Sequence, residues 1–238
     1  MPLEEKKKSR LYALKPLTDR LPAVTRPDGH VQFRTKMFWV VGILVIYFVM
    51  TNIFIYGLDR TNVIDFFSSL RAILAGAQGS LVHLGIGPIV TASIIMQLFA
   101  GAKIVNLDLK DDEDKSVYQG TQKLLVIIMI VVESVPQVYG FLTPSALFVQ
   151  GLNGPALFGI IPGGNGRGIA EFLIVVQLFL GSYVVFLMDE VVSKWGIGSG
   201  ISLFIAGGVA QQIFTGTFNW EPGQAGSAVP AGAIPKTI

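Results

Sequence analysis

The chain has no cysteine in 238 residues and only two histidines. A disulfide framework, a thiol nucleophile and a cysteine-based metal site are therefore excluded. His30 and His83 stand too far apart for metal-ligand spacing, so no metal is expected. Charge is also scarce. Asp, Glu, Lys and Arg make up 14% of the residues, where a soluble domain carries about 25%. No nucleophile, base and metal set converges, so the chain is not read as an enzyme and needs no cofactor. In place of charge there is apolar surface: 51% of residues are hydrophobic and the mean hydropathy is +0.59. That balance belongs to a membrane protein.

Four stretches are long and apolar enough to span a bilayer: 37–56, 124–142, 169–188 and 201–218. Each falls in the range of roughly 17–25 residues that spanning requires. A fifth apolar run lies in "LVHLGIGPIVTASIIMQLFAG", residues 81–101, and it starts abnormally. Only 86–100 reads as unbroken helix, about 22 Å against a ~30 Å hydrocarbon core. Pro88 suits a first helical turn, where its missing N–H has no partner to lose. Gly85 and Gly87, with Gly79 upstream, permit a sharp bend. Before the bend, 63–74 can form a short helix whose apolar face holds Phe66, Phe67, Leu70, Ile73 and Leu74. Arg71, Ser68 and Ser69 lie largely off that face. Irregular backbone and polar side chains at membrane depth are tolerated only inside protein or beside water. The pattern predicts an all-α membrane protein with five crossings. The second is broken into a short helix folded into a cavity, a glycine hinge and a half-helix.

Of the 18 Lys and Arg, 14 fall in 1–36, 101–123 and 189–200. Five crossings place those three segments on one side, so the N-terminus is expected in the cytoplasm. No cleavable signal peptide is expected, because the first apolar run is too long and no small-x-small site follows it. Residues 1–36 are a basic arm, read as a solvated orientation signal, with anionic lipid or ribosomal RNA as the alternative target. "NLDLKDDEDKSVYQ" at 106–119 is read as a solvated charged loop lacking Ca²⁺-loop spacing. The Gly/Pro-rich stretch 143–168 is expected to be irregular. Its Gly164, Gly166 and Gly168 do not make a nucleotide loop, because no strand precedes them and no Lys-Ser/Thr follows. The tail 219–238 is read as an external loop.

Glu133 stands inside an apolar run, with Pro136 after it. It could relay protons. The favoured role is structural, neutral or bonded to backbone groups freed by the proline. Gln177, Gln211 and Gln212 are read as links between helices. Three functions fit a broken helix beside a cavity: a secondary transporter, an ion channel, or a wide conduit closed by a movable segment. After the bend come Ile86, Ile89 and Val90, which suit a hydrophobic constriction better than a solute site.

Three long stretches carry a resemblance: "LGIGPIVTASIIMQL" at 84–98, "YQGTQKLL" at 118–125 and "DEVVSKWGIGSGISLFIAGGV" at 189–209. In order and spacing they resemble the N-terminal half of the SecY family of protein-conducting channels, its archaeal branch above all. The resemblance covers about residues 10–218. It implies a plug over 62–80, which includes Phe66, Phe67, Leu70, Arg71, Ile73 and Leu74, with Gly79, Gly85, Gly87 and Pro88 as its hinge. It implies a central aliphatic ring to which this half contributes Ile86, Val90, Ile201 and Ile205. Within each pair the i,i+4 spacing lets both members share a helix face. The family has ten helices in two inverted halves, so the chain is expected to be half of a channel: a truncated chain, a split gene product or an incomplete reading frame. The implied function is passive passage of unfolded polypeptide through the plasma membrane, with lateral release of apolar segments into lipid. The implied partners are SecE-type and beta-type small subunits, a ribosome or other energy source, and the missing C-terminal half. The alternatives are a proton- or ion-coupled transporter using Glu133 and a non-conducting half-channel fragment.

Overall fold

The computed structural model describes residues 10–22, 24–25, 27, 29, 31–59, 74–105, 107, 111–153, 165–220 and 232–237. Among them the regular structure is helical, with two isolated backbone bridges and no strand. Five helices carry the apolar runs: α1 (Phe33–Asn52), α2 (Gly87–Gly101), α3 (Asp112–Gly140), α4 (Gly166–Trp195) and α5 (Gly200–Phe218). All but α2 are long and apolar enough to cross a membrane; α2 has 15 residues. Shorter pieces are Arg10–Leu14, Lys15–Thr18, Ala146–Leu152 and Ala233–Thr237.

Helix α4 is the centre of the bundle. It packs against α1, α3, α5 and Ala146–Leu152, while α2 leans on α3. Half of the α4 apolar stretch is buried, the largest share among the four long helices. Its inner face alternates bulky residues (Ile174, Leu178, Val185, Phe186) with small ones (Ala170, Gly181, Ser182). Small residues let helix backbones approach closely where van der Waals packing must hold them. By contrast, Phe38, Val41, Val45 and Val49 of α1 stay exposed, as a lipid-facing surface does.

Several elements depart from the sequence expectations. α1 starts at Phe33, before the run at 37, and ends at Asn52. The chain leaves the helix there to pair with the hinge: Ile55 N–H donates to the Gly79 carbonyl (2.8 Å), and Leu81 N–H to that of Ile53 (3.0 Å). From Asp112 onward, the stretch read as a solvated charged loop is the first part of α3. Asp111 caps it by accepting from Glu113 N–H at 3.3 Å. Asp112, Glu113 and Asp114 occupy its first turn, where carboxylates oppose the positive end of the helix dipole. At 29 residues, α3 is about 43 Å long and stands well clear of a ~30 Å core. The stretch 143–168 is not irregular throughout, because Ser145 caps the helix Ala146–Leu152. The tail carries Ala233–Thr237, packed against α5.

The arm is also more than a solvated signal. Tyr12 donates to Asp114 of α3 at 2.5 Å, and Lys15 meets Glu113 at 3.3 Å. The bond to that carboxylate pushes the Tyr12 hydroxyl up to about 12. Farther along, the Val24 carbonyl accepts from Lys194, and the Thr25 carbonyl from the Trp195 indole at 2.8 Å. The arm thus touches the start of α3 and the end of α4.

Candidate pore lining and hinge

The break before α2 is built from backbone geometry. Gly79 and Gly85 have φ of +69° and +57°, in the left-handed region. A Cβ on Gly85 would lie 2.0 Å from the Leu74 carbonyl oxygen, so no side chain fits there. That same carbonyl accepts the Ile86 N–H at 2.9 Å. Pro88 sits in the first turn of α2, as its chemistry requires. All four hinge residues named from the sequence therefore lie at the break. Of the six residues expected in a plug, Leu74 is described and half-buried; Phe66, Phe67, Leu70, Arg71 and Ile73 lie outside the described residues.

Residues that the sequence reading did not assign to the hinge hold it from three sides. From α1, the buried Tyr47 hydroxyl donates to the Ala75 carbonyl at 2.6 Å. From α4, Gly181 leaves room for the Leu81 carbonyl, which a Cβ would approach to 2.0 Å. From α3, Gln137 reaches His83: the ring accepts from Gly79 N–H through Nδ1 (3.1 Å), so Nε2 carries the proton donated to Gln137 (2.9 Å). The signals were present but mute. A tyrosine or a Gly-Ser pair in an apolar run shows no partner until the fold supplies one.

Glu133 also finds its partner on α2. Thr91 Oγ1 lies 3.1 Å from Glu133 Oε1 and 2.8 Å from the Gly87 carbonyl, so its one proton serves both. The bond runs between helices, where the sequence had pointed to backbone groups freed by Pro136. Gln177 likewise bonds the backbone of Tyr56, after α1, while Gln211 and Gln212 are exposed.

The four ring candidates come together in one apolar cluster. Ile86, only 1% exposed, belongs to its buried part with Tyr47, Ile130 and Phe204, and Val90, Ile201 and Ile205 pack against it half-buried. Ile86, at the N-cap of α2, and Val90 within it make one pair, and Ile201 and Ile205 of α5 the other. Beside Ile201 lies a cavity of about 260 Å³, walled by Ile89, Val126 and Phe186 and by Lys123, Asp189 and Glu190. Glu190 Oε1 accepts from Lys123 (2.5 Å) and Lys194 (2.6 Å). Asp189 Oδ1 accepts the Ile201 N–H at 3.0 Å.

A family profile described as SecY matches residues 80–235. The chain belongs to the SecY family. A second profile, the plug domain of Sec61p, matches residues 45–79, so the two meet at the glycine hinge. The protein translocase subunit SecY of Archaeoglobus fulgidus is 50% identical over 230 residues, 97% of this chain and 44% of that relative. Two solved structures, a protein-conducting channel and Sec61 in the canine ribosome-channel complex from the endoplasmic reticulum, each match with a TM-score of 0.69. Both are 39% identical and cover 86% of this chain and 43% of theirs. The chain thus spans less than half the length of the SecY relatives it matches.

Proposed function

We propose that the chain is the N-terminal half of the pore subunit of a protein-translocation channel. The completed channel passes unfolded polypeptide across the plasma membrane and releases apolar segments sideways into lipid. The observation that carries this reading is the meeting of Ile86 and Val90 with Ile201 and Ile205 in one cluster at the foot of a broken helix. Branched aliphatic side chains there form half of a collar that excludes water by dewetting when idle. A collar of this kind also yields to a passing chain and offers it no strong binding site. Ahead of it, 62–80 is the plug, and Gly79, Gly85, Gly87 and Pro88 are its hinge. The basic-residue distribution supports a cytoplasmic N-terminus.

The arrangement is a conduit and supplies no driving force, so energy comes from a ribosome or another partner. A solved relative sits in a ribosome-channel complex, which supports the ribosome. A C-terminal half completes the ten helices, and SecE-type and beta-type small subunits bind beside them. Conduction is assigned to that assembly, since this half holds only part of the ring. The bond from Thr91 to Glu133 favours a structural carboxylate over a transporter's relay.

This half has no native cysteine, so single cysteines report cleanly once any in the rest of the channel are replaced. In the complete channel holding a stalled polypeptide with one cysteine, Val90→Cys and Ile205→Cys should form disulfides with it. Val45→Cys, on the exposed face of α1, should not. Equal crosslinking at all three positions would overturn the reading.

A further inference from the structure

We propose that Asp189 is a positioning residue for the ring: from the end of α4 it holds the first turn of α5, and with it Ile201 and Ile205. The proposal rests on the ring reading above. The first N–H groups of a helix have no partner within it. Ser199, at the N-cap of α5, makes no side-chain cap bond. The Asp189 carboxylate takes that role from the preceding helix, accepting the Ile201 N–H at 3.0 Å. It sits directly on the turn, since a Cβ at Gly200 would lie 2.5 Å from Oδ1. A carboxylate is also favoured there by the helix dipole.

Two further observations make this contact decisive for the ring. Asp189 and Ile201 wall the same 260 Å³ cavity, so Ile201 has open space on that side instead of packing. The connector between the helices is glycine-rich, with Gly198 at φ +80°, and contributes little stiffness. The end of α4, by contrast, is anchored. Glu190 is bonded to Lys123 of α3 and to Lys194, which also reaches the Val24 carbonyl, and Trp195 holds that of Thr25. A continuous series of bonds therefore runs from the arm through the end of α4 to the Ile201 amide. Ile205 lies one turn farther along the same face, so any fraying or tilt of the first turn displaces the pair from the ring.

The test is idle conductance of the complete channel in a planar bilayer, paired with hydrogen exchange at the Ile201 amide. Asp189→Ala should raise conductance about fivefold, the factor that corresponds to losing a cap worth ~1 kcal/mol. Exchange should accelerate in the first turn of α5 alone. Asp189→Asn keeps an acceptor oxygen in place and should remain near the parent. Gly200→Ala brings a methyl to 2.5 Å from the carboxylate and 2.7 Å from the Asp189 Cα; it displaces the same turn without removing the acceptor and should shift conductance as Asp189→Ala does, giving a second reading if the aspartate variant does not assemble. If Ile201→Ser leaks while Asp189→Ala and Gly200→Ala stay at the parental level, the positioning role is wrong and the ring reading stands. If Ile201→Ser itself does not leak, the ring reading falls and this proposal with it.

Discussion

Gly85 carries the tightest constraint at the hinge. Its φ of +57° costs an L-residue about 1–2 kcal/mol, and an added methyl would also strike the Leu74 carbonyl. Gly85→Ala should therefore lower the stability of the detergent-purified protein by more than the conformational cost alone, read as a drop in Tm. Gly42 is the control. It lies within α1 with nothing within 4 Å of its Cβ position, so Gly42→Ala should be neutral or stabilising by up to ~1 kcal/mol. Equal effects of the two substitutions would mean that the break tolerates a side chain. The sequence showed that glycine matters here, through Gly-Ile-Gly-Pro behind a polar stretch. It did not show which atom each glycine must clear. Residue 74's carbonyl and residue 181's open flank come together only in the folded bundle.

At the scale of elements, apolar runs located all five helices, α2 and α5 to within one residue, but misplaced the ends of α1, α3 and α4. Hydropathy sees only the lipid-immersed part of a helix. The start of α3 was hidden because its acids read as solvated charge, although acids in a first turn stabilise a helix. The arm's docking was illegible for another reason: Tyr12 and Asp114 are 102 positions apart, and nothing local marks them as partners. The broken second element was legible because proline and glycine act on the backbone locally. Deleting 63–74 from the complete channel should increase ion leak while some translocation persists, since the segment seals and does no chemistry. An unchanged resting leak, with no neighbouring residues filling the gap, would count against a plug there.

On the proposed function, the molecule is one side of a divided pore. α4 holds it together, α1 turns an apolar face outward, and α2 with its N-cap and α5 bring four aliphatic side chains to one place. Its orientation can be read with an impermeant thiol reagent. Cysteines at the exposed positions Ser116 and Ser199 should label only after the membrane is opened, and one at the exposed Gln150 should label in intact cells. Labelling of Ser116→Cys from outside would defeat the five-crossing topology. The central claim is the hydrophobic collar, and idle conductance of the reconstituted complete channel tests it most directly. Replacing Ile86, Val90, Ile201 and Ile205 together by Ser should wet the constriction and raise idle conductance, while replacement by Leu should be mild. The matched control replaces Val41, Val45, Ile46 and Val49, exposed on α1, and should leave conductance unchanged. A serine collar that leaks no more than this control would show that the four residues are ordinary packing and that the pore lies elsewhere.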